Sequence, residues 1–360
     1  MKAFQVSKLA HPNDISAYDS PTRVSAVGNG LTLMAIRSDI PIPKADGSKG
    51  QVLLDVNAAA LNFFDILQSQ GLYQTKPPLP FVLGAEVAGT ISKTSPIPEG
   101  CPFKPGVDRV FGITQGAYAE HAMAEWKRLM PIPSNLSMAQ ASTVPLTATT
   151  SYLGIVIKGQ AKPGEWVLVH GAAGGVGLAA CQIAKAVGCK VIAAASTDAK
   201  RQFCVDKGGV DEVVDYTKDG WQNEVKRITG GRGVDIVYDP VGLVIPSLKC
   251  VAANARILVI GFAGGTIEKI PANLLLLKQA SAVGVYWGAT TENDPGTATQ
   301  VTKGVLKLLS TNEIRPVVHS TIYRGPGEVL KGLKDIENRK IWGKGVVVIR
   351  EEDGALKAKL

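Results

Sequence analysis

Four closely spaced glycines that follow a short apolar segment offer the most specific chemistry in this sequence. Residues 166–170 (Trp-Val-Leu-Val-His) predict a buried strand, and the apolar spacing of residues 176–187 predicts a helix. The glycines are Gly171, Gly174, Gly175 and Gly177. Backbone amide groups in the first turn of a helix are unpaired and lie at the positive end of its dipole, so they attract anions. A strand, a glycine turn and a helix in this order therefore predict a phosphate-binding site.

The glycine turn departs by one residue from the dinucleotide-binding fingerprint G-x-G-x-x-G. Its six positions, residues 172–177, read Ala-Ala-Gly-Gly-Val-Gly, so Ala172 stands in place of the first glycine. The order of strand, turn and helix is the context that the fingerprint requires. Gly174, Gly175 and Val176 are therefore the candidate contacts of a dinucleotide pyrophosphate. The alternative is a glycine-rich turn that binds no ligand.

The end of the following strand distinguishes between the two nicotinamide dinucleotides. NAD sites carry an acidic residue there, about twenty residues after the glycines, which holds the ribose hydroxyls. Here residues 190–195 predict the strand, Ser196 follows it, and Lys200 and Arg201 come shortly after. A small polar side chain and two cations suit the 2′-phosphate of NADPH, which a carboxylate would repel. Asp198 is the competing acid, and the alternative for both cations is that they face solvent.

The elements that must position these residues alternate regularly between strand and helix from about residue 146. Apolar segments predict six strands at residues 166–170, 190–195, 212–215, 235–238, 256–261 and 281–286. Helical segments, among them 221–229 and 273–279, separate the strands. This alternation predicts an α/β fold with a parallel, doubly wound sheet.

The rest of the chain predicts a second, β-rich domain. Short apolar segments alternate with Pro and Gly at residues 31–36, 51–61, 86–92, 109–113 and 117–122. The carboxy-terminal segment offers two helices, 301–309 and 327–338, and one strand, 345–349, which are too few for a domain of their own. The predicted division is a β-rich domain of residues 1–145 and 290–360 and a nucleotide-binding domain of residues 146–289.

Composition excludes several other classes of protein. Of 360 residues, 45% are hydrophobic and 19% are charged, as in folded globular chains. The net charge of +8 is dispersed without a block of like charges, which argues against a nucleic-acid-binding tail. The five cysteines have no paired spacing, no apolar run is long enough to span a bilayer, and the first residues lack a secretory signal. We therefore expect a cytoplasmic protein without disulfides.

Several motifs outside the glycine turn carry a family resemblance. They are residues 60–65 (ALNFFD), 71–73 (GLY), 83–89 (LGAEVAG), 108–110 (DRV), 116–120 (GAYAE), 145–148 (PLTA) and 238–242 (YDPVG). With the glycine turn, they resemble the medium-chain dehydrogenase/reductase superfamily and, within it, the zinc-free quinone oxidoreductase (zeta-crystallin-like) family. The resemblance covers nearly the whole chain. It implies a GroES-like β-rich catalytic domain and a Rossmann domain with a six-stranded parallel sheet.

The resemblance also implies that the protein uses no metal. Zinc-dependent relatives carry a cysteine where this chain has Asn62 and a histidine where it has Ala85. Neither an amide nor a methyl group replaces the thiolate or imidazole ligands of zinc. The region of the structural zinc lobe, which needs four cysteines, holds only Cys101. Hydride transfer to a quinone needs little further help, because reduction restores aromaticity.

Two residues match active-site positions of the family. Asn62 matches an asparagine near the nicotinamide and could orient a carbonyl through its amide N–H. Tyr73 matches a tyrosine that could donate a proton or a hydrogen bond. The alternatives are that Asn62 only ties down a loop and that Tyr73 only packs. Family members often have a further tyrosine where this chain has Leu67, so we expect a preference for larger apolar acceptors.

The resemblance extends the cofactor site beyond the glycine turn. Lys200 and Tyr216 fall where relatives contact the 2′-phosphate, although one inserted residue shifts the register of Tyr216. Weaker cofactor contacts are implied for Thr147, Ser196, Phe262 and Arg339. In the family the sixth strand pairs with its mate in a homodimer, and the apolar run at residues 281–287 is compatible with such edge pairing.

The resulting hypothesis is an NADPH-dependent, zinc-free quinone oxidoreductase. An enoyl-thioester or alkenal reductase is the alternative enzyme, because it shares the scaffold and the cofactor and differs in the acceptor. An NADPH-responsive RNA-binding protein is the alternative from another class. It would need a basic face with interleaved aromatic residues, and only 6% of the residues are aromatic.

Overall fold

The computed structural model describes residues 1–10, 12 and 34–352, which form two compact units. The first comprises Met1–Pro145 and Val318–Leu360, and the second comprises Leu146–Val317. Each unit has its own cluster of buried apolar side chains. None of the helices in the described part of the chain is both long and apolar enough to cross a membrane.

The first unit is built mainly of antiparallel strands. Its strands are β1 (Ala3–Val6), β2 (Met34–Arg37), β3 (Gln51–Ala60), β4 (Phe81–Val82), β5 (Glu86–Ile91), β6 (Arg109–Ile113), β7 (His121–Glu125), β8 (Leu129–Pro131), β15 (Val318–Arg324) and β16 (Lys344–Val348). Its helices are α1 (Phe63–Ser69), α2 (Met138–Ser142) and α11 (Val329–Glu337). One sheet has the order β2-β1-β4, and the larger one has the order β15-β16-β3-β5-β6-β8, with β7 also paired to β3.

The register of the larger sheet brings three distant parts of the chain together. Ala60, at the end of β3, lies opposite Glu86 of β5 on one side and opposite Val346 of β16 on the other. Both pairings are antiparallel, so the chain that leaves β3 toward Asn62 runs past the first residues of β5 and β16. The first residue of β16 is Lys344. This register places Asn62, Glu86 and Lys344 at one edge.

The second unit, every residue of which is described, alternates strands and helices. Its strands are β9 (Trp166–Val169), β10 (Lys190–Ala194), β11 (Glu212–Val214), β12 (Val234–Asp239), β13 (Val251–Val259) and β14 (Ser281–Gly284). Its helices are α3 (Val144–Tyr152), which begins at the boundary, α4 (Gly175–Ala186), α5 (Asp198–Gly208), α6 (Trp221–Ile228), α7 (Val244–Ser247), α8 (Ala272–Lys278), α9 (Trp287–Asn293) and α10 (Pro295–Ser310). A π-helical turn, Leu153–Lys158, continues α3.

All six strands of the second unit are parallel, in the order β11-β10-β9-β12-β13-β14. The predicted six-stranded parallel sheet is thereby confirmed. The central strands consist almost wholly of buried apolar residues, because helices cover both faces of a parallel sheet. The strand order is that of dinucleotide-binding sheets.

The segment between residues 290 and 317 belongs to the second unit, whereas its sequence placed it with the first. The reason lies in the packing of α10. Gly304 of this helix presses against the ring of Tyr152 at the end of α3, so closely that a β-carbon there would overlap the phenol. The chain returns to the first unit at β15, a strand that the sequence did not predict.

Two predicted strands of the first unit coincide only in part with the strands that the structure describes. Residues 31–33 of the segment 31–36 lie outside the described residues, and strand β2 begins at Met34. The predicted strand at 117–122 is wrong over its first half. Ala119 forms only an isolated bridge with Ala3, because the backbone of Tyr118 is hydrogen-bonded to Phe4 and Leu83, and regular pairing begins at His121.

Candidate functional site

The glycine turn joins β9 to α4, as the sequence predicted. Gly174 is the N-cap of α4, and as a glycine it supplies no side-chain cap. The amide groups of its first turn are therefore available to an anion. A β-carbon on Gly177 would lie 2.8 Å from the α-carbon of Ala172 and even closer to the carbonyl oxygen of Gly171. Glycine at this position lets the helix begin directly on the turn, as dinucleotide binding requires.

The turn lies where ligands bind in open parallel sheets. Strands β10 and β12 flank β9, so the strand order reverses there, and the crevice at the carboxyl ends of such strands is the usual ligand site. The hydroxyl of Ser151 on α3 donates to the carbonyl oxygen of Val176 at 2.9 Å and lies 3.0 Å from the Tyr238 hydroxyl. Thr147, one turn earlier on α3, is buried. Helix α3 is thus tied to the start of α4.

The residues predicted to contact the adenosine ribose follow β10. Ala195 and Ser196 come directly after this strand, so no carboxylate occupies the position of the usual NAD-binding acid. Thr197 caps α5 by accepting a hydrogen bond from the Lys200 amide at 3.3 Å. Lys200 lies in the first turn of α5 and is half-buried. Ser196 and Lys200 are therefore at the same edge of the sheet as the glycine turn.

Arg201 was predicted to lie beside a phosphate, but its side chain is bound by groups of the protein itself. Its guanidinium donates to the carbonyl oxygen of Ala195 at 2.9 Å and forms ion pairs with Asp198 and, at 3.2 Å, with Asp215. Its side chain is only 12% exposed. The charge of Arg201 is therefore already matched within the protein.

The remaining predicted cofactor residues fall into two groups. Tyr216 follows β11 and Phe262 follows β13, so both lie beyond carboxyl ends of the parallel sheet. The ring of Tyr216 meets that of His170 edge-on, with centroids 6.2 Å apart, and Phe262 is 36% exposed. Arg339 lies in the first unit just after α11, where its backbone has a left-handed φ of 57°. Its contact with a cofactor stays a prediction.

In the first unit, Asn62 is held by a buried polar network. Its side-chain amide nitrogen donates to the carbonyl oxygen of Ala60 at 3.2 Å and to Glu86 Oε2 at 2.9 Å. Its Oδ1 accepts a hydrogen bond from the ammonium group of Lys344. That ammonium is also paired with Glu86 Oε2 at 2.7 Å. The oxygen faces a cation and the nitrogen a carboxylate, so the amide has one favourable orientation.

This network changes what Asn62 can do. Both hydrogens of its amide nitrogen are donated within the unit, so the predicted donation to a carbonyl acceptor would require one of them to be given up. The side chains of Glu86 and Lys344 are 0% and 8% exposed. Removing either member of a buried ion pair leaves a buried charge without its counter-charge, which is strongly destabilising. Asn62 as a catalytic residue stays a prediction.

A second buried carboxyl group lies beside Asn62. Asp65 Oδ2 accepts hydrogen bonds from the Asn62 backbone amide at 2.8 Å and from the Tyr118 hydroxyl at 2.5 Å. Asp65 Oδ1 is buried and has no hydrogen-bond partner among the residues that the structure describes. Burial raises the pKa of Asp65 to about 7, against the hydrogen bonds from Tyr118 and Asn62, which lower it. The group therefore gains or loses a proton near neutrality.

The raised pKa of Asp65 predicts a pH-dependent stability. In the unfolded chain the Asp65 carboxyl has a pKa of about 3.9, so it loses its proton at a lower pH than in the folded protein. The proton therefore stabilises the folded state fully at low pH, and this stabilisation is lost as the pH rises to about 7. Relative to Asp65→Asn, the wild type should lose up to about 1.4 kcal/mol per pH unit between about pH 4 and 7. Urea unfolding of both proteins measures this, and a difference that does not change with pH would contradict it.

Tyr73, the other predicted catalytic residue, lies in the loop after α1. Its ring packs against that of Phe64, with centroids 5.0 Å apart and an interplanar angle of 32°. Phe64 belongs to α1, whose first turn begins at Asn62. Both predicted catalytic residues are thus positioned by the same short helix. The packing role of Tyr73 is visible, and its proton-donating role stays a prediction.

Within residues 1–10, 12 and 34–352, no three His, Cys, Asp or Glu side chains lie close enough together to hold a metal ion. All five cysteines are free thiols.

Comparisons with known proteins agree with this geometry. Residues 48–134 match the family "Alcohol dehydrogenase GroES-like domain", and residues 175–308 match "Zinc-binding dehydrogenase". "Quinone oxidoreductase-like protein 2 homolog" of Nematostella vectensis is 36% identical over 306 residues, which cover 82% of this chain and 81% of that protein. This chain belongs to the quinone oxidoreductase family of the medium-chain dehydrogenases/reductases.

Other members of the quinone oxidoreductase family support the same assignment. Human "Quinone oxidoreductase" is 35% identical over 271 residues, covering 74% of this chain and 79% of that protein. The crystal structure of Escherichia coli quinone oxidoreductase complexed with NADPH superposes with a TM-score of 0.81, at 25% identity, over 97% of this chain and 100% of that one. The predicted GroES-like and Rossmann fold class is confirmed, and the protein is an oxidoreductase.

Sequence reasoning missed the buried groups that hold Asn62 in place. Glu86 and Asp65 both lie in motifs that carry the family resemblance, and the Asn-x-x-Asp spacing of residues 62–65 is that of a capping box, so a local signal existed for Asp65. Lys344 had no such signal, because its partners lie far away in the sequence. Only the register of β16 on β3 identifies it.

Proposed function

We propose that this protein is an NADPH-dependent quinone oxidoreductase that transfers a hydride from NADPH to a quinone or a related conjugated carbonyl compound without zinc. The observation that carries the proposal is the glycine turn at the start of an uncapped α4, at the point where the strand order of a parallel sheet reverses. The first-turn amides of α4, from Gly175 to Gly177, would hold the pyrophosphate.

The preference for NADPH over NADH is inferred from the residues that follow β10. Ser196 stands where an NAD-binding acid is usual, and Lys200 follows in the first turn of α5. A 2′-phosphate carries up to about two negative charges near neutral pH, so a nearby ammonium group favours it. The NADPH complex of the Escherichia coli relative supports this assignment.

Independence of zinc is supported by the surroundings of Asn62. A zinc-dependent relative would present a thiolate here and an imidazole at position 85, and this chain has an amide and a methyl group. The Asn62 oxygen instead accepts a hydrogen bond from Lys344. A cation thus already lies against the Asn62 side chain, and its charge would oppose a metal ion there.

The reaction makes modest demands on the protein. A bound nicotinamide supplies the hydride. The residues of this chain then have to orient the dinucleotide, hold a flat acceptor and deliver a proton. We propose that Tyr73 lines the acceptor site beside Phe64, and that the network of Glu86 and Lys344 keeps Asn62 in one orientation.

A matrix of cofactors and acceptors tests the proposal. The purified protein should oxidise NADPH faster than NADH, and it should turn over an ortho-quinone faster than an alkenal or an enoyl-CoA ester. Faster turnover of the enoyl-CoA ester or the alkenal with NADPH would reassign the protein to the double-bond reductases. Oxidation of neither nucleotide with any acceptor would contradict the redox assignment itself.

We also propose that the protein is a homodimer that pairs β14 with its mate. The outer edge of β14 has no partner strand in the described chain, and its residues are largely exposed. Leu276 and Leu277 of the neighbouring helix α8 are each 76% exposed, and Ile267 is 73% exposed. Exposed leucines beside an open strand edge are typical of an interface. Sedimentation should then give twice the chain mass of 37.9 kDa.

A further inference from the structure

A carboxylate lies beside the predicted ribose edge on the neighbouring strand. Ala194 of β10 pairs with Val214 of β11, so Asp215, the residue after β11, comes alongside Ala195 and Ser196. The Asp215 side chain is 13% exposed. Its Oδ1 accepts hydrogen bonds from the amide of Thr217 at 3.0 Å and from its hydroxyl at 2.6 Å. These bonds, aided by the charge of Arg201, lower the pKa of Asp215, so the group is a carboxylate at neutral pH.

Arg201 is the residue that matches this carboxylate. The same Nη1 nitrogen that lies 3.2 Å from Asp215 Oδ2 also donates to the carbonyl oxygen of Ala195, the residue after β10. The other terminal nitrogen of Arg201 pairs with Asp198, whose side chain is 99% exposed and therefore well solvated. Because water screens Asp198, Asp215 is the acid whose field depends on Arg201.

An unmatched carboxylate at this edge would act against a 2′-phosphate. NAD-binding proteins use an acid at the end of the second strand to hold the ribose hydroxyls, and that acid also repels the phosphate of NADPH. Here the carboxylate follows the neighbouring strand, β11, and the guanidinium lies between that carboxylate and the backbone of Ala195, just after β10.

We infer that Arg201 is a specificity-determining residue for the dinucleotide, and that it acts by neutralising Asp215 rather than by binding the 2′-phosphate. The inference rests on the proposed NADPH site. Lys200 is then the residue that faces the phosphate, and Arg201 keeps the adjacent acid from opposing it. Loss of the cation should therefore weaken binding of the 2′-phosphate by leaving the acid unmatched, and removal of the acid should reverse that loss.

A double-mutant cycle with nucleotide fragments tests this directly. Calorimetry on the full chain would measure binding of adenosine 2′,5′-bisphosphate and of 5′-AMP to the wild type, Arg201→Met, Asp215→Asn and the double variant. Arg201→Met should weaken the bisphosphate about tenfold and 5′-AMP less than about twofold, since only the 2′-phosphate is repelled. Adding Asp215→Asn should restore most of the lost affinity.

The outcomes separate this inference from the proposed function. If the wild type prefers the bisphosphate and Asp215→Asn fails to restore Arg201→Met, then Arg201 binds the phosphate itself and the inference is wrong. If the wild type binds neither fragment, or both equally, the NADPH site and the inference fail together. Asp215→Asn alone keeps the guanidinium and serves if Arg201→Met does not fold. It should bind the bisphosphate more tightly than the wild type, and weaker or equal binding would overturn the inference.

Discussion

Replacing Lys344 with methionine should lower the free energy of unfolding of the first unit by about 3–5 kcal/mol, because the substitution leaves the buried carboxylate of Glu86 without the cation that balances its charge. The Glu86 side chain is fully buried, and the Lys344 ammonium lies 2.7 Å from its Oε2. Hydrogen exchange of the amides in β3, β5 and β16 reports the stability of this unit.

The double variant Lys344→Met, Glu86→Gln is the matched control. It removes both charges and keeps a side-chain amide beside Asn62, so it should recover most of the stability that Lys344→Met loses. A double variant as unstable as the single one would show that Lys344 acts through the packing of its methylene groups. It would exclude the ion pair as the source of the lost stability.

Replacing Lys200 with alanine should raise the KM for NADPH by about tenfold or more and change the KM for NADH less than about twofold. A charge-assisted contact to the 2′-phosphate is worth roughly 1.5–3 kcal/mol, and NADH lacks that phosphate. Steady-state kinetics with each nucleotide and one quinone measure the two constants.

Lys207→Ala is the control for this prediction, because it removes the same charge from the last turn of the same helix, α5. It should leave both KM values close to those of the wild type. If Lys200→Ala affects NADH as strongly as NADPH, then Lys200 supports α5 and does not contact the phosphate.

Much of the second unit could be predicted because its signals are local. Most of its strands contain a short apolar segment bounded by turn residues, and the glycines at 171–177 mark both the end of β9 and the start of α4. The sequence also predicts a helix at 301–309, which is the carboxy-terminal part of α10. The sequence does not predict which unit this helix belongs to, because an apolar helix face does not specify the residues that pack against it. The contact between Gly304 and Tyr152 supplies that information.

The charged groups of the site show a limit of another kind. Lys200 and Arg201 are adjacent cations, and nothing in their local sequence separates a phosphate contact from a side chain already paired within the protein. The register of β11 on β10 brings Asp215 to Arg201, and this register depends on the whole sheet. The pairing of Lys344 with Asn62 and Glu86 is non-local in the same way, because it requires three strands to be aligned.

We propose that the first turn of α4 binds a dinucleotide whose 2′-phosphate is recognised beyond β10. Calorimetric titration of the purified full chain with NADPH and with NADH measures this binding. We expect one site per chain and an affinity for NADPH at least about tenfold higher than that for NADH, equivalent to about 1.4 kcal/mol. Absence of binding by both nucleotides, or equal affinity for the two, would contradict it.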